Sequence, residues 1–360
     1  MPVQDELSPN GQRERVWEIS PESRSLRPSS PLAVLSELDR KLAAGELDAR
    51  RPLPTGFDPL DDTLGGGIRP GELVLLGGAQ GVGKTTMCLQ MARNIAASTP
   101  ATVLYVCYEH DEEYLTTRLL SMETVDPYAG RYVDGVGTRE IRTQLQTARR
   151  RGYQSASAAL AADPRLKAAL NRLSQYGDRL HLVKASGVRS TLEHVGGLVE
   201  TCRQQSNGPL VLFVDYLQKV PVVPEPENET EQVTRVAEGF KDLALAFQLP
   251  VVCIVAADAE GLKAKRLRPH HFRGGSAMAY EADVILILAE KYDLVARVHL
   301  EYNPAKAQSF RDWVICSVEK NRAGRDLVHA EFQKRFQYCC LAPVGNLVTE
   351  KLIDERLFVE

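Results

Sequence analysis

Residues 77–86 read GGAQGVGKTT, a glycine-rich segment that ends in a lysine and two threonines. The segment fits the phosphate-binding pattern G-x-x-x-x-G-K-[ST] at every fixed position, namely Gly78, Gly83, Lys84 and Thr85. ELVLLG (72–77) before it has the apolar character of a buried strand, and MCLQMARNIAA (87–97) after it has the apolar spacing of a helix. Because the motif requires a strand before it and a helix after it, the sequence predicts a nucleotide-binding loop.

Each residue type in this loop has a chemical task. Glycines let backbone N–H groups point at phosphate oxygens, and the N-terminus of the next helix favours negative charge. The side chain of Lys84 would reach the β- and γ-phosphates, and the hydroxyl of Thr85 would hold Mg²⁺. We therefore expect ATP and Mg²⁺ as ligands, with the nucleotide held by Gly78, Ala79, Gln80, Gly81, Val82, Gly83, Lys84, Thr85 and Thr86.

The composition limits the classes of function. With 360 residues, 44% hydrophobic and 25% charged, the chain has room for one large α/β domain plus appendages. No apolar run approaches the ~18 residues of a membrane span, and the N-terminal stretch has no apolar signal-peptide core, so we expect no membrane contact and a cytoplasmic protein. A net charge of −3 excludes a globally basic nucleic-acid binder, so any contact with DNA must be local.

Four regions follow from the pattern along the chain. Residues 1–30 are polar and rich in Ser, Pro and Arg, which predicts a disordered tail. Residues 31–50 begin with a helix capped by Ser30 and Pro31, whose leucines share one side and which needs a surface to bury them. Residues 51–340 alternate strands and helices and form the main domain, and residues 341–360 are a C-terminal tail.

The main domain has the pattern of an α/β fold with a mostly parallel, twisted sheet flanked by helices. The predicted strands are 72–77, 102–108, 180–184, 210–215, 250–256, 283–289, 312–319 and 327–332. The clearest predicted helix is 230–247. Residues 138–176 form a basic helical stretch with Arg149–Arg151, which is either a solvated face or a patch for nucleic acid or a partner.

Hydrolysis needs a carboxylate at the metal and a base for the attacking water. Asp215 ends the apolar strand LVLFVD, and an acid at the carboxyl end of a parallel strand meets the nucleotide crevice. Glu109 follows the strand TVLYVCY, where it could face the γ-phosphate and take a proton from water. The alternatives are a turn-capping Asp and an ordinary surface Glu.

These residues carry a family resemblance. The matching segments are PTGFDPLDDTLGGGIRPGEL (54–73), the phosphate loop, YEHDEEYLTTRLLS (108–121), LVLFVDYLQ (210–218), FRGGSAMAYEADVIL (272–286) and VEKNRAG (318–324). In this order they resemble the RecA-like P-loop ATPase domain of DnaB-type replicative helicases, over about residues 30 to 338. The stretch LGGGIRPGEL is also similar to the RadA and KaiC branches of that superfamily.

The resemblance implies roles and partners. Glu109 would be the catalytic base, Asp215 would hold the Mg²⁺ shell, and Lys320 and Arg322 would reach into a neighbour's active site. It further implies a homo-oligomeric ring, usually a hexamer, in which the linker helix (31–44) docks on the next subunit. The family's N-terminal helical domain, which meets primase, is not matched, so contact with primase is not expected.

Two features leave the function open. The loop GLKAKRLRPHHFRGG (residues 261–275, the basic loop) could face the central channel of a ring and bind single-stranded DNA, or could be a solvated loop. The candidate DNA contacts are Lys263, Lys265, Arg266, Arg268 and Arg273. The family also places a γ-phosphate-sensing Gln where this chain has Val255–Asp258. The sequence thus favours a DNA-dependent motor, with an ATP-dependent switch of the RadA and KaiC kind as the alternative.

Overall fold

A computed structural model describes residues 28–126, 134–206, 208–275, 277–295 and 304–353. Its internal contacts divide the chain into two units, residues 1–47 and residues 48–360. The predicted disordered tail (1–30) lies outside the described residues except for its last three positions.

The first unit contains helix α1 (Pro31–Ala43). The Ser30 side chain accepts a hydrogen bond from the Ala33 amide at 3.2 Å, and Pro31 takes the first helical position, as the capping pattern predicts. No residue of α1 is buried, and the apolar side chains of Leu32 and Leu42 are exposed. The apolar side of the helix is therefore open in the monomer.

The second unit is built on one sheet. Its strands are β1 (Leu73–Gly78), β2 (Thr102–Cys107), β3 (Leu180–Lys184), β4 (Leu210–Asp215), β5 (Val251–Ile254), β6 (Val284–Glu290), β7 (Trp313–Asn321), β8 (Val328–Arg335), β9 (Cys340–Leu341) and β10 (Asn346–Leu347). They run in the order β10-β8-β7-β6-β1-β5-β4-β2-β3, and β9 pairs with β8. In this order, every neighbouring pair from β6 through β1, β5, β4 and β2 to β3 is parallel. On the other side of β6, the strands β7, β8 and β10 extend the sheet with antiparallel pairs.

Most of the helices in this unit connect one strand to the next. The helices are α2 (Leu60–Thr63), α3 (Lys84–Ser98), α4 (Glu112–Glu123), α5 (Thr138–Ala148), α6 (Ala156–Leu160), α7 (Pro164–Leu173), α8 (Leu192–Gln205), α9 (Glu229–Phe247), α10 (Ala277–Glu281), α11 (Lys291–Leu294) and α12 (Pro304–Ser309). Short 3₁₀ turns include Arg149–Arg151, Leu217–Lys219, Pro269–His271 and Phe336–Tyr338. The predicted helical stretch 138–176 contains three of these helices, α5, α6 and α7.

The register of the sheet positions the site. All residues of β1, β2 and β4 are buried, as expected for strands covered by helices on both faces. The last pair between β2 and β4 joins Cys107 to Asp215, so the carboxyl ends of the two strands lie side by side. Ligands of open α/β sheets bind at these ends. The mostly parallel fold predicted from the alternating pattern is confirmed.

Two segments differ from the sequence prediction. The predicted strand 250–256 ends at Ile254, because Ala257 pairs with Phe272 instead of continuing along β1. The described part of the predicted C-terminal tail is packed: β10 pairs with β8, and Leu352 forms a bridge with Val295. Strands of only two residues have no periodicity that a sequence could display.

Candidate active site

The phosphate loop lies between β1 and α3 and is shaped by its glycines. Gly83 has a φ of 104°, and a Cβ atom there would lie 2.6 Å from the ring of Phe336. A residue with a side chain would therefore be strained and would collide with that ring. The loop thus delivers the free N–H groups of the first turn of α3, a 15-residue helix, to one point.

Lys84 folds back over this loop. Its ammonium group donates to the carbonyl oxygens of Gly78 at 2.8 Å and Ala79 at 2.9 Å. Burial lowers the pKa of Lys84, while the carboxylates of Asp215 and Glu109 raise it. A cation held over a ring of N–H donors has the arrangement that phosphate oxygens need.

Thr85 and Asp215 meet at the carboxyl end of β4. The Thr85 hydroxyl donates to Asp215 Oδ2 at 2.9 Å, and the Tyr105 hydroxyl donates to the same oxygen at 3.2 Å. Asp215 is only 1% exposed, and burial raises the pKa of its carboxyl while the Thr85 hydrogen bond lowers it. A hydroxyl and a carboxylate are oxygen ligands of the kind Mg²⁺ takes together with phosphates, so this pair fits the ion.

Glu109 completes the group of predicted residues. It stands two residues beyond the end of β2, and its side chain lines the same cleft as Lys84, Thr85 and Asp215. This nucleotide cleft has a volume of about 700 Å³, which is sufficient for a nucleotide. The structure therefore brings the four polar residues chosen from three separate motifs into one cavity.

The cleft also contains Arg118, from the segment 108–121 that carries the family resemblance, and Arg142, which the sequence does not mark as a site residue. Arg118 donates to the Thr86 hydroxyl at 2.5 Å and to the Tyr114 hydroxyl at 3.1 Å. Arg142, from α5, lies with its guanidinium 5.9 Å from the centre of the Tyr114 ring. Arg142 lies four residues after Thr138, so the two share one face of α5, and both line the cleft. The sequence does not show that this face of α5 is turned toward the cleft.

Lys320 and Arg322 are near the end of β7 and do not line the nucleotide cleft of their own chain. The Lys320 ammonium donates to the carbonyl of Ala279 at 2.8 Å. Arg322 donates to the carbonyl of Tyr280 at 2.6 Å and to Asp283 Oδ1 at 3.2 Å. The Arg322 side chain is nevertheless 51% exposed, so it remains accessible from outside.

The five cations of the basic loop divide into two groups. Arg266 and Arg268 form ion pairs with Glu319 at 3.4 Å and 2.8 Å, and the side chain of Arg266 is only 6% exposed. Arg273 pairs with Glu229 at 2.6 Å, where both side chains are about half exposed. Lys263 and Lys265 are exposed and make no side-chain ion pair among the described residues. Arg266 is therefore not placed for DNA contact.

Other candidate ligand groups give no site. Across the described ranges, no cluster of three or more His, Cys, Asp or Glu side chains is arranged for a metal ion. The rings of His270 and His271 lie 4.0 Å apart, and Cys339 and Cys340 are buried free thiols. No helix in the described part of the chain has the length and apolarity needed to cross a membrane.

Comparison with known proteins agrees with this geometry. The family model of the DnaB-like helicase C-terminal domain matches residues 52–339. The chain belongs to this family. The match contains the phosphate loop, both cleft carboxylates and the Lys320/Arg322 pair, and the fold is that of a RecA-like ATPase domain.

Individual relatives are distant. Replicative DNA helicase DnaB from Rickettsia bellii is 25% identical over 308 residues, which are 82% of this chain and 55% of that protein. DNA repair protein RadA from a Synechocystis species is 43% identical over 76 residues, 20% of this chain and 15% of that protein. The chain thus spans about half the length of this DnaB relative.

A solved structure supports the fold. One such structure is that of a DnaB-like replicative helicase, described with its interactions with primase. It has a TM-score of 0.63 at 16% sequence identity, and the match covers 89% of this chain and 68% of the helicase chain. At that identity the likeness concerns the fold alone. The likeness therefore assigns no role to an individual residue of this chain.

Proposed function

We propose that the chain hydrolyses ATP with Mg²⁺ as a ring-forming motor on single-stranded DNA, in DNA replication or repair. The observation that carries the ATPase part is the meeting of Thr85 and Asp215 at 2.9 Å beneath the phosphate loop, with Glu109 in the same cleft. A nucleotide-binding module without hydrolysis would need the loop but no base.

The cleft residues divide the chemical work. Lys84 would leave the loop carbonyls to contact the β- and γ-phosphates, and Glu109 would take the proton of the attacking water. Thr85 and Asp215 would hold Mg²⁺, which supplies charge neutralisation on the phosphates when bound. Arg118, which already contacts Thr86, adds a cation from the same chain.

The ring part rests on Lys320 and Arg322. These cations lie outside the cleft of their own chain, and Arg322 is half exposed. A cation supplied by a neighbour can stabilise the charge that develops on the γ-phosphate. In this proposal residues 31–50 are the linker that docks on the adjacent subunit, and residues 51–340 are the ATPase domain.

The test of function is ATP turnover by the full chain with and without single-stranded DNA. We expect measurable turnover that rises when DNA is added. Turnover without any response to DNA, in an assembled protein, would support a RadA-like switch instead. That second candidate is favoured by one observation, which is that Ala256 and Ala257 line the cleft where the family places a sensing Gln.

The test of the ring mixes two inactive variants. Arg322→Ala should bind ATP but not hydrolyse it, and Lys84→Ala should lack a working cleft. A mixed ring places an intact cleft beside an intact Arg322, so mixing should restore part of the turnover. Mixed rings that remain inactive, or a monomer that hydrolyses ATP, would show that Arg322 does not act on a neighbour.

A further inference from the structure

A short two-stranded ribbon stands at the base of the basic loop. Ala256–Asp258 run antiparallel to His271–Arg273, and we call this pair the basal ribbon. The Arg273 amide donates to the Ala256 carbonyl at 2.9 Å, and the Asp258 amide donates to the His271 carbonyl at 2.9 Å. Ala257 and Phe272 are the residues paired between these bonds. The loop therefore emerges from a defined ribbon.

One side chain fills the open end of this ribbon. In an antiparallel pair, residues that share one hydrogen bond normally share a second in the reverse direction. Here that second bond is replaced by the amide of Gln218. Its Oε1 accepts from the Ala256 amide at 3.2 Å, and its Nε2 donates to the Arg273 carbonyl at 3.0 Å. Gln218 thus binds both strands of the ribbon at once.

Gln218 follows the nucleotide site closely in the chain but is not among the described residues that line the cleft. It lies in the 3₁₀ turn Leu217–Lys219, three residues after Asp215. Ala256, whose amide donates to Gln218, lines the nucleotide cleft together with its neighbour Ala257. On the opposite side, the ring of Phe272 packs so close to Gly77 that a Cβ atom there would lie 2.2 Å away. The ribbon is therefore held between the phosphate-loop strand and the turn after β4.

The far end of the basic loop carries two cations, Lys263 and Lys265, whose side chains form no ion pair with another residue that the structure describes. Lys263 and Lys265 are exposed and lie between the two strands of the ribbon in sequence. Arg266 and Arg268 hold the returning half of the loop to Glu319 on β7. A displacement of the ribbon at the cleft would consequently change the position of the two lysines.

We propose that Gln218 is a positioning residue that couples the nucleotide cleft to the basic loop. Its amide ties the turn after Asp215 to the ribbon, so that a change at the γ-phosphate end of the cleft and a ligand on Lys263 and Lys265 affect one another. The amide of Gln218 supplies both the acceptor and the donor that this position uses. The inference rests on the proposed DNA-dependent ATPase and names the residue through which DNA would act.

The experiment compares three variants of the full chain. Gln218→Met keeps the length of the side chain but removes both hydrogen bonds, and Gln218→Glu keeps the acceptor and removes the donor. Gln232→Met is the matched control, because Gln232 donates to the Val220 carbonyl at 3.0 Å and does not touch the ribbon. Both Gln218 variants should keep basal turnover within about twofold and lose stimulation by single-stranded DNA roughly fivefold or more. The control should keep both.

A second measurement separates this inference from the proposed function. Amide hydrogen exchange of residues 256–273 is followed with and without a non-hydrolysable ATP analogue and Mg²⁺. In the wild type the analogue should change protection of the ribbon, and in Gln218→Met this response should be lost without a change in melting temperature. If the wild type is not stimulated by DNA, the proposed function fails and this measurement alone decides the coupling. A Gln218→Met variant that is stimulated by DNA, or whose ribbon responds like the wild type, would overturn the inference.

Discussion

The phosphate loop and the basic loop were both selected from the sequence, yet the structure treats their residues differently. At the phosphate loop, Lys84, Thr85 and the carboxylates predicted to serve them lie in one cleft. At the basic loop, three of the five selected cations form ion pairs within the chain, and Lys263 and Lys265 form none among the described residues. A spaced motif specifies the partner of each residue, whereas a local excess of charge does not show which charges are already neutralised.

The largest expected effect is at the phosphate loop. Glu109→Gln removes the base but leaves Lys84, Thr85 and Asp215 in place, so ATP should still bind while turnover falls by about two to four orders of magnitude. Lys84→Ala should abolish nucleotide binding or turnover. Nucleotide affinity and single-turnover hydrolysis distinguish the two variants. Turnover at the wild-type rate in Glu109→Gln would mean that another group activates the water.

The sequence predicts site residues best where the reaction needs a particular side chain at the carboxyl end of a strand. Glu109 and Asp215 were found because the carboxyl ends of neighbouring parallel strands meet, as the pairing of Cys107 with Asp215 shows. Arg142 was missed because it comes from an inserted helix whose orientation depends on tertiary packing. The ion pairs of Arg266 and Arg268 were missed because Glu319 lies about 50 residues away in the chain.

The division of the basic loop gives the second prediction. Arg266→Gln should destabilise folding by about 1–2 kcal/mol, because it removes one of the two arginines that pair with the buried Glu319 and leaves Arg268 in place. The double substitution Lys263→Gln and Lys265→Gln should leave the free energy of unfolding unchanged within about 0.5 kcal/mol. Chemical denaturation measures both effects, and the two lysines serve as the control for the arginine.

The same double variant tests the proposed DNA contact. Its affinity for single-stranded DNA should fall, and the slope of log K against log salt should decrease by roughly 0.7 for each lost phosphate contact. Basal ATP turnover should be unaffected because neither lysine lines the cleft. An unchanged affinity and slope would remove the basic loop as a DNA contact, and the Arg149–Arg151 segment would be examined next.

The smallest expected effect concerns the cost of keeping Asp215 buried. Burial raises the pKa of this carboxyl in the folded chain, so the folded state binds the proton more tightly than the unfolded state does. The ionised form therefore opposes folding at neutral pH, and this penalty disappears as the pH falls through the raised pKa. Asp215→Asn keeps oxygen acceptors for Thr85 and Tyr105 without the charge.

Without ligands, Asp215→Asn should consequently have a higher free energy of unfolding than the wild type at pH 7. The difference should shrink as the pH is lowered, because the wild-type carboxyl then becomes neutral as well. Adding Mg²⁺ and ATP should reverse the order, since only the wild type gains the full binding energy of the metal–nucleotide complex. Chemical denaturation at several pH values measures these differences. The prediction is wrong if Asp215→Asn is less stable than the wild type at every pH. In that case the hydrogen bonds of the carboxylate stabilise the folded state by more than burial of the charge destabilises it.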